Sequence, residues 1–136
     1  MDEDDNALIA AARAVIAQHH RPHWHTVAAA LRDDRGRIWT GLHLGTTVGR
    51  LSICAEPIAL GRAILEGALL EGGGKIVAAV AVRHPKPDEP EQSIAVVPPC
   101  GACRELLADY APTAWVIVSG ERKLSVAELL PLPYQR

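Results

Sequence analysis

Residues 6–20, NALIAAARAVIAQHH, place apolar side chains at positions 8, 9, 12, 15 and 16, the spacing of a helix with one buried face. Asp5 or Asn6 is placed to cap its first turn. HRPHWH, 20–25, is polar and broken by proline, so it reads as a connection. Next come HTVAAALRDD, 25–34, and GRIWTGLHL, 36–44, on either side of Arg35-Gly36, a turn signal; the pair reads as a β-hairpin. GTTVGRLS, 45–52, reads as a loop. A helix is expected over 54–74, ended by glycine, with Pro57 accommodated in the first turn, where its missing N–H is not needed. KIVAAVAVR, 75–83, is apolar enough for a buried strand, and a charged, proline-rich loop follows to residue 93. IAVVPP, 94–99, leads into a helix from about Cys100 to Tyr110; AWVIVS, 114–119, is a second buried strand, and SVAELL, 125–130, a short helix capped by Ser125. The order predicts an α/β fold, a three-layer α-β-α sandwich with a mixed sheet of about five strands, in one domain over 1–136.

Composition narrows the function classes. The chain has 136 residues, 49% of them hydrophobic, which supports a real core, and its net charge of −2 gives no general reason to bind nucleic acid or an acidic membrane. No apolar run approaches the ~20 residues of a membrane span. The acidic start, MDEDDN, lacks the basic region of a secretory signal. Three cysteines is an odd number that a disulfide framework would not favour, so a reducing cytoplasm is the expected setting.

The cysteines carry the chemistry. Cys100 and Cys103 are spaced so that one helical turn presents both sulfurs to a single ion, and Cys54 opens another helix. Zinc takes thiolates in tetrahedral sites, and a catalytic zinc keeps three protein ligands and one open position. With no fourth cysteine, a closed four-thiolate site is ruled out. Glu56, two residues after Cys54, is not needed as a ligand and suits a proton carrier. A helix N-terminus behind each sulfur group offers partial positive charge and free N–H donors, which favour thiolate.

CAE at 54–56 together with PCGAC at 99–103 strongly resembles the zinc-dependent cytidine deaminase superfamily, whose signature and zinc-water chemistry are general to nucleobase deaminases. HTVAAAL, 25–31, lies where that family has its first core strand, and IWTG, 38–41, where a strand leads into the substrate loop. The short, three-cysteine form is similar to the small homotetrameric cytidine deaminases and the blasticidin-S deaminases. The resemblance implies one zinc per chain on Cys54, Cys100 and Cys103, with Glu56 carrying protons from water to the ring and to the leaving amine. It implies that the Ala55 N–H holds the ring oxygen and the Pro98 carbonyl the amine. It also implies a homotetramer, a place in pyrimidine salvage, and a small-molecule partner rather than nucleic acid. Many relatives place an arginine after CAE; Pro57 stands there, which leaves Arg104 as the candidate compensating cation and Arg50 and Arg62 as lesser ones.

The substrate end departs from the family pattern. Typical cytidine deaminases hold the ribose with an Asn and, two residues on, a Glu; the matching places are His43 and Gly45. His43 can still donate a hydrogen bond, with Thr46, Thr47 and Arg50 as further polar candidates. The aromatic residue that packs on the base matches His25. Length and motif form favour cytidine or deoxycytidine. The alternative is another aminated heterocycle such as blasticidin S or a modified pyrimidine, and the non-enzyme alternative is a zinc-stabilised scaffold, against which Glu56 argues. A nucleic-acid deaminase would need basic grooves and stacking aromatics, which this composition scarcely offers.

Overall fold

The computed structural model describes residues 1–67 and 75–135. Helix α1 runs Glu3–His19 and buries Leu8, Ile9, Ala12 and Ile16, the stripe read from the periodicity. It starts earlier than expected. Asp2 is the N-cap, in a capping box with Asp5, so Asp5 serves inside the first turn and Asn6 does not cap. Strands β1 (Val27–Asp33) and β2 (Ile38–Leu42) form the antiparallel hairpin expected around Arg35-Gly36. Helix α2 (Ala55–Leu65) begins at Cys54 as N-cap and ends at Glu66, with Gly67 at a φ of 98°. That is earlier than the expected end at residue 74, and 68–74 lie outside the described residues. Strand β3 (Ile76–Arg83), helix α3 (Gly101–Tyr110) and strand β5 (Trp115–Ser119) follow as expected, and the IAVVPP lead into α3 holds a further short strand, β4 (Ala95–Val97), that the sequence reading does not include. Strand β6 (Arg122–Ser125) was not anticipated, and helix α4 (Val126–Leu129) starts from a Ser125 capping box as expected.

The sheet therefore has six strands among the described residues rather than about five, in the order β2-β1-β3-β5-β6. It is mixed, because β3 pairs parallel with β5 and antiparallel with β1. β4 pairs with Ala81–Arg83 of β3, while β5 pairs with Ala78–Val80, so two strands divide the length of β3 between them. β6 reads RKLS, with too little apolar alternation to announce itself; the register of β5, Trp115 against Ser125 and Val116 against Leu124, holds it.

Alternation along the strands builds the two cores. Ala28 and Ala30 of β1, Val80 and Val82 of β3 and Ile117 of β5 pack under α1. Leu31, Ala79 and Val116 face the other way, against Ala59, Leu60 and Ala63 of α2, Leu107 of α3 and Val126 of α4. Small strand residues let the helices lie close. A side chain at Gly41 would overlap the backbone of Ala55 and Ala59, so this glycine in β2 allows the start of α2 to rest on the sheet.

Candidate active site

Two chain reversals bring the three cysteines together. Cys54 and Cys100 are the N-caps of α2 and α3, both extended, and Cys103 lies one turn into α3. Pro98 and Pro99 keep the approach to α3 extended, since the residue before a proline avoids the helical region. The three Sγ atoms lie within 4.8 Å of one another, and those of Cys54 and Cys100 are 3.4 Å apart. A tetrahedral zinc with bonds of about 2.3 Å needs sulfurs about 3.8 Å apart. No cysteine is in a disulfide.

The electrostatics fit a cation. Burial raises the Cys54 thiol, with the neighbouring Cys100 adding to it. Burial also drives the Cys103 thiol far up, reinforced by the charge of Glu56. Cys100 alone is held down: burial opposes ionisation, but the backbone N–H groups of Cys103 and Ala102 and the adjoining thiols overcome it. Three sulfurs this close cannot all ionise on the help of helix N–H groups. A divalent cation among them removes the conflict, so the donor set suits zinc.

Glu56 stands in the first turn of α2 and is 5% exposed. Burial raises its carboxyl above the usual carboxylate value, while its own backbone N–H and Cys103 pull against that rise. It faces a cavity of about 230 Å³ shared with Cys54 and Cys100. That is smaller than the roughly 300–1,000 Å³ of drug-sized pockets, so it suits one flat ring with its substituent at the mouth. Ala55 and Pro98 line the cavity with Glu56, as does His43.

Other candidates fall elsewhere. His25 does not line the cavity; its Nδ1 bonds to the His43 carbonyl at 2.9 Å, so it stands behind His43, and Val27 forms the wall. Arg104 donates from Nε to the Pro99 carbonyl at 3.0 Å and from Nη1 to the Leu129 carbonyl at 3.2 Å, so its bonds tie the start of α3 to the end of α4 and do not reach a sulfur. Arg62 bonds to Thr40 on β2. Arg50 and Thr47 are exposed and do not line the cavity.

The loop after β2 is more ordered than its glycines imply. Leu44 and Ile53 exchange backbone hydrogen bonds at 2.9 and 3.0 Å, and a 3-10 turn spans Gly49–Leu51. Gly45 donates to the Trp24 carbonyl at 2.7 Å, and a side chain there would overlap the His23 carbonyl oxygen. Close approach of the 20–25 connection, not a left-handed backbone, is what requires glycine at 45. Ser52, Ile53, Val27, Ala81 and Val97 also line the cavity, and reading along the chain missed all five. Only the alternation in LHL and LSI, on either side of the loop, hinted that Ser52 would come back beside Gly45.

Residues 2–119 match the family described as the cytidine and deoxycytidylate deaminase zinc-binding region. The chain is 39% identical to a blasticidin-S deaminase of Bacillus cereus, over 100% of its own length and 96% of the relative's. It is 32% identical to a cytidine deaminase of Halalkalibacterium halodurans, over 77% and 74%. Among solved structures it is similar to the cytidine deaminases of Mycobacterium tuberculosis (TM-score 0.76, 26% identity, 99% of this chain and 100% of that one) and Burkholderia pseudomallei (0.75, 29%, 98% and 100%).

Proposed function

Because the chain belongs to the zinc-dependent cytidine and deoxycytidylate deaminase family, we propose that it hydrolytically removes the exocyclic amine of a free cytosine nucleoside, and that a nucleoside of the blasticidin-S kind is preferred to cytidine. The observation that carries the preference is Gly45. Its contact with the 23–24 backbone leaves no room for the carboxylate that holds ribose in typical cytidine deaminases. The relative that shares the whole chain at 39% identity bears the name of a blasticidin-S deaminase, which supports the same choice. Cytidine is the second reading, favoured by the similarity to solved cytidine deaminases along nearly the full length. No Lys or Arg among the described residues lines the cavity, so a nucleotide phosphate would find no cationic partner there.

In this reading Cys54, Cys100 and Cys103 hold the metal, whose Lewis acidity makes water ionisable near neutral pH. Glu56, buried beside the cysteines, accepts the proton of the attacking water and passes it to the ring nitrogen. It then takes the proton of the hydroxyl added to the ring carbon and gives it to the departing amine, so the carbonyl forms as ammonia leaves and one carboxylate serves as base and then as acid. The Ala55 N–H, at the first position of α2, points its donor to the ring oxygen, and the Pro98 carbonyl receives the amine. A reducing, cytoplasmic setting suits three free thiols. The enzyme acts as a homo-oligomer, a tetramer by the family resemblance.

The test is ammonia release from blasticidin S, cytidine, deoxycytidine and deoxycytidine monophosphate, with Glu56→Gln as control. The reading expects the highest kcat/KM on blasticidin S and the lowest on the monophosphate. A higher kcat/KM on cytidine than on blasticidin S transfers the assignment to cytidine. Ammonia from none of them overturns the deaminase reading.

A further inference from the structure

The hydrogen bonds of His43 determine where its proton sits. The Thr26 and Val27 backbone N–H groups both donate to its Nδ1, at 2.8 and 3.1 Å. A nitrogen that accepts from two N–H groups carries no proton, so the neutral ring is the Nε2–H tautomer. Nε2 has no protein partner among the described residues, and the ring forms part of the cavity wall. His43 therefore offers the cavity a donor and no acceptor. Burial, together with the nearby His25, lowers its pKa and keeps the ring neutral.

A similar count applies to Ser52. Thr46 has one hydroxyl proton, and it goes to the Val48 carbonyl, which can only accept. The 3.2 Å contact between the Thr46 and Ser52 hydroxyls must then be a donation from Ser52. With its proton committed, Ser52, which lines the cavity, has only lone pairs left to offer there. The Leu44–Ile53 bridge sets the register: position 43 lies across from 54, and 45 across from 52. Ser52 thus occupies the place opposite Gly45, where no side chain fits. His43 and Ser52 are diagonal neighbours across this short ladder, at a Cβ spacing of about 7–8 Å or somewhat less, a gap that one small group bridges.

We propose that His43 and Ser52 form a donor–acceptor pair that binds a neutral group able both to accept and to donate a hydrogen bond, such as a hydroxyl or an amide, on the substituent of the substrate's ring. The pair replaces a carboxylate-based subsite with an uncharged one. It rests on the cytosine-nucleoside reading for the identity of the ring, and not for the hydrogen-bond polarity.

Two pairs of probes test it by competition and calorimetry on the zinc-loaded full chain, so binding is read even where turnover is absent. Cytidine is compared with 2′,3′-dideoxycytidine, and cytosin-1-ylacetamide with cytosin-1-ylacetate. The expected result is about tenfold tighter binding of the first member of each pair, the worth of a neutral hydrogen bond or slightly more. His43→Leu withdraws the donor from the cavity while keeping a side chain of similar bulk, and Ser52→Ala removes the acceptor. Each should erase most of that tenfold preference, the double variant should lose little beyond either single one, and KM should move more than kcat. Nitrogen-15 NMR should show the Nε2–H tautomer for His43 in the wild type. An Nδ1–H tautomer, or unchanged preferences in both variants, overturns the pair. Intact preferences with no ammonia released from any nucleoside would overturn the deaminase reading and leave the pair standing.

Discussion

In the proposed reaction Cys54 and Cys100 hold the metal and Glu56 carries the protons, and substitution separates the two roles. Cys100→Ala removes one of three sulfurs that lie within 4.8 Å of one another, so metal analysis should fall from one zinc per chain to well below it. Full occupancy in that variant would remove Cys100 from the ligand set. Glu56→Gln keeps the shape of a side chain that does not bind the ion; zinc content and melting temperature should hold while turnover drops roughly 100- to 10,000-fold, the range of a general acid–base group. Gly45 sets a different limit. Gly45→Glu would place Cβ on the His23 carbonyl oxygen, so it should cost about 1–3 kcal/mol in urea unfolding and should not restore cytidine binding. A stable variant that binds cytidine more tightly would show that the 20–25 connection yields. The residue types and spacing of the metal cluster were legible in the sequence, because ligand chemistry is local. Val27 and Ser52 were not. They reach the cavity only through strand register and a loop bridge, and neither carries a chemical signature.

At the level of elements, the hairpin between β1 and β2 depends on one buried carboxylate that looks in the sequence like an ordinary turn residue. Asp33 accepts from the backbone N–H groups of Arg35 and Arg37, each at 2.9 Å, from Arg37 Nε at 2.7 Å and from the Trp39 indole at 3.1 Å. Burial pushes its pKa up, but the Arg37 N–H, the indole, the Arg37 guanidinium and the Arg35 N–H outweigh it and hold the carboxyl below 3.8. Its folded pKa is depressed, so its contribution to stability is present above the unfolded value and is lost as pH falls through the folded one. Unfolding free energy should therefore decline with acid below about pH 4. Asp33→Asn should flatten that decline and cost about 1–3 kcal/mol near neutrality, measured by urea titration across pH. An unchanged acid limb would assign it to other carboxylates, with Asp5 next, bound to Lys123 at 2.7 Å. The long apolar strands and α1 were readable because each carries its own period. β6 was not, since pairing to β5 decides it, and the end of α2 was misjudged because Gly67 stops the helix before the later glycines.

For the molecule as a whole, several exposed apolar side chains lie on the loop that supplies Ser52 and Ile53 to the cavity. Leu44, Val48, Leu51 and Ile53 all belong to one loop, and Leu51 is 63% exposed. Surfaces of that kind mark association. Light scattering at micromolar concentration should give the mass of four chains, and a monomer would overturn the expectation. Chelation should lower the melting temperature, because the ion binds only where both helix starts are assembled. That last point has a consequence for biosynthesis. Cys54 and Cys100 are 46 residues apart. At about 5–20 residues per second, the ribosome finishes the second cysteine roughly 2–9 seconds after the first. During that interval a lone thiol waits with no partner, and β3, which lies between the two, has still to join the sheet. Zinc can then enter only as a late passenger, after the nascent chain has passed α3. A bound metal is for that reason a sign that a chain has brought both helix starts together, which helix content alone does not report.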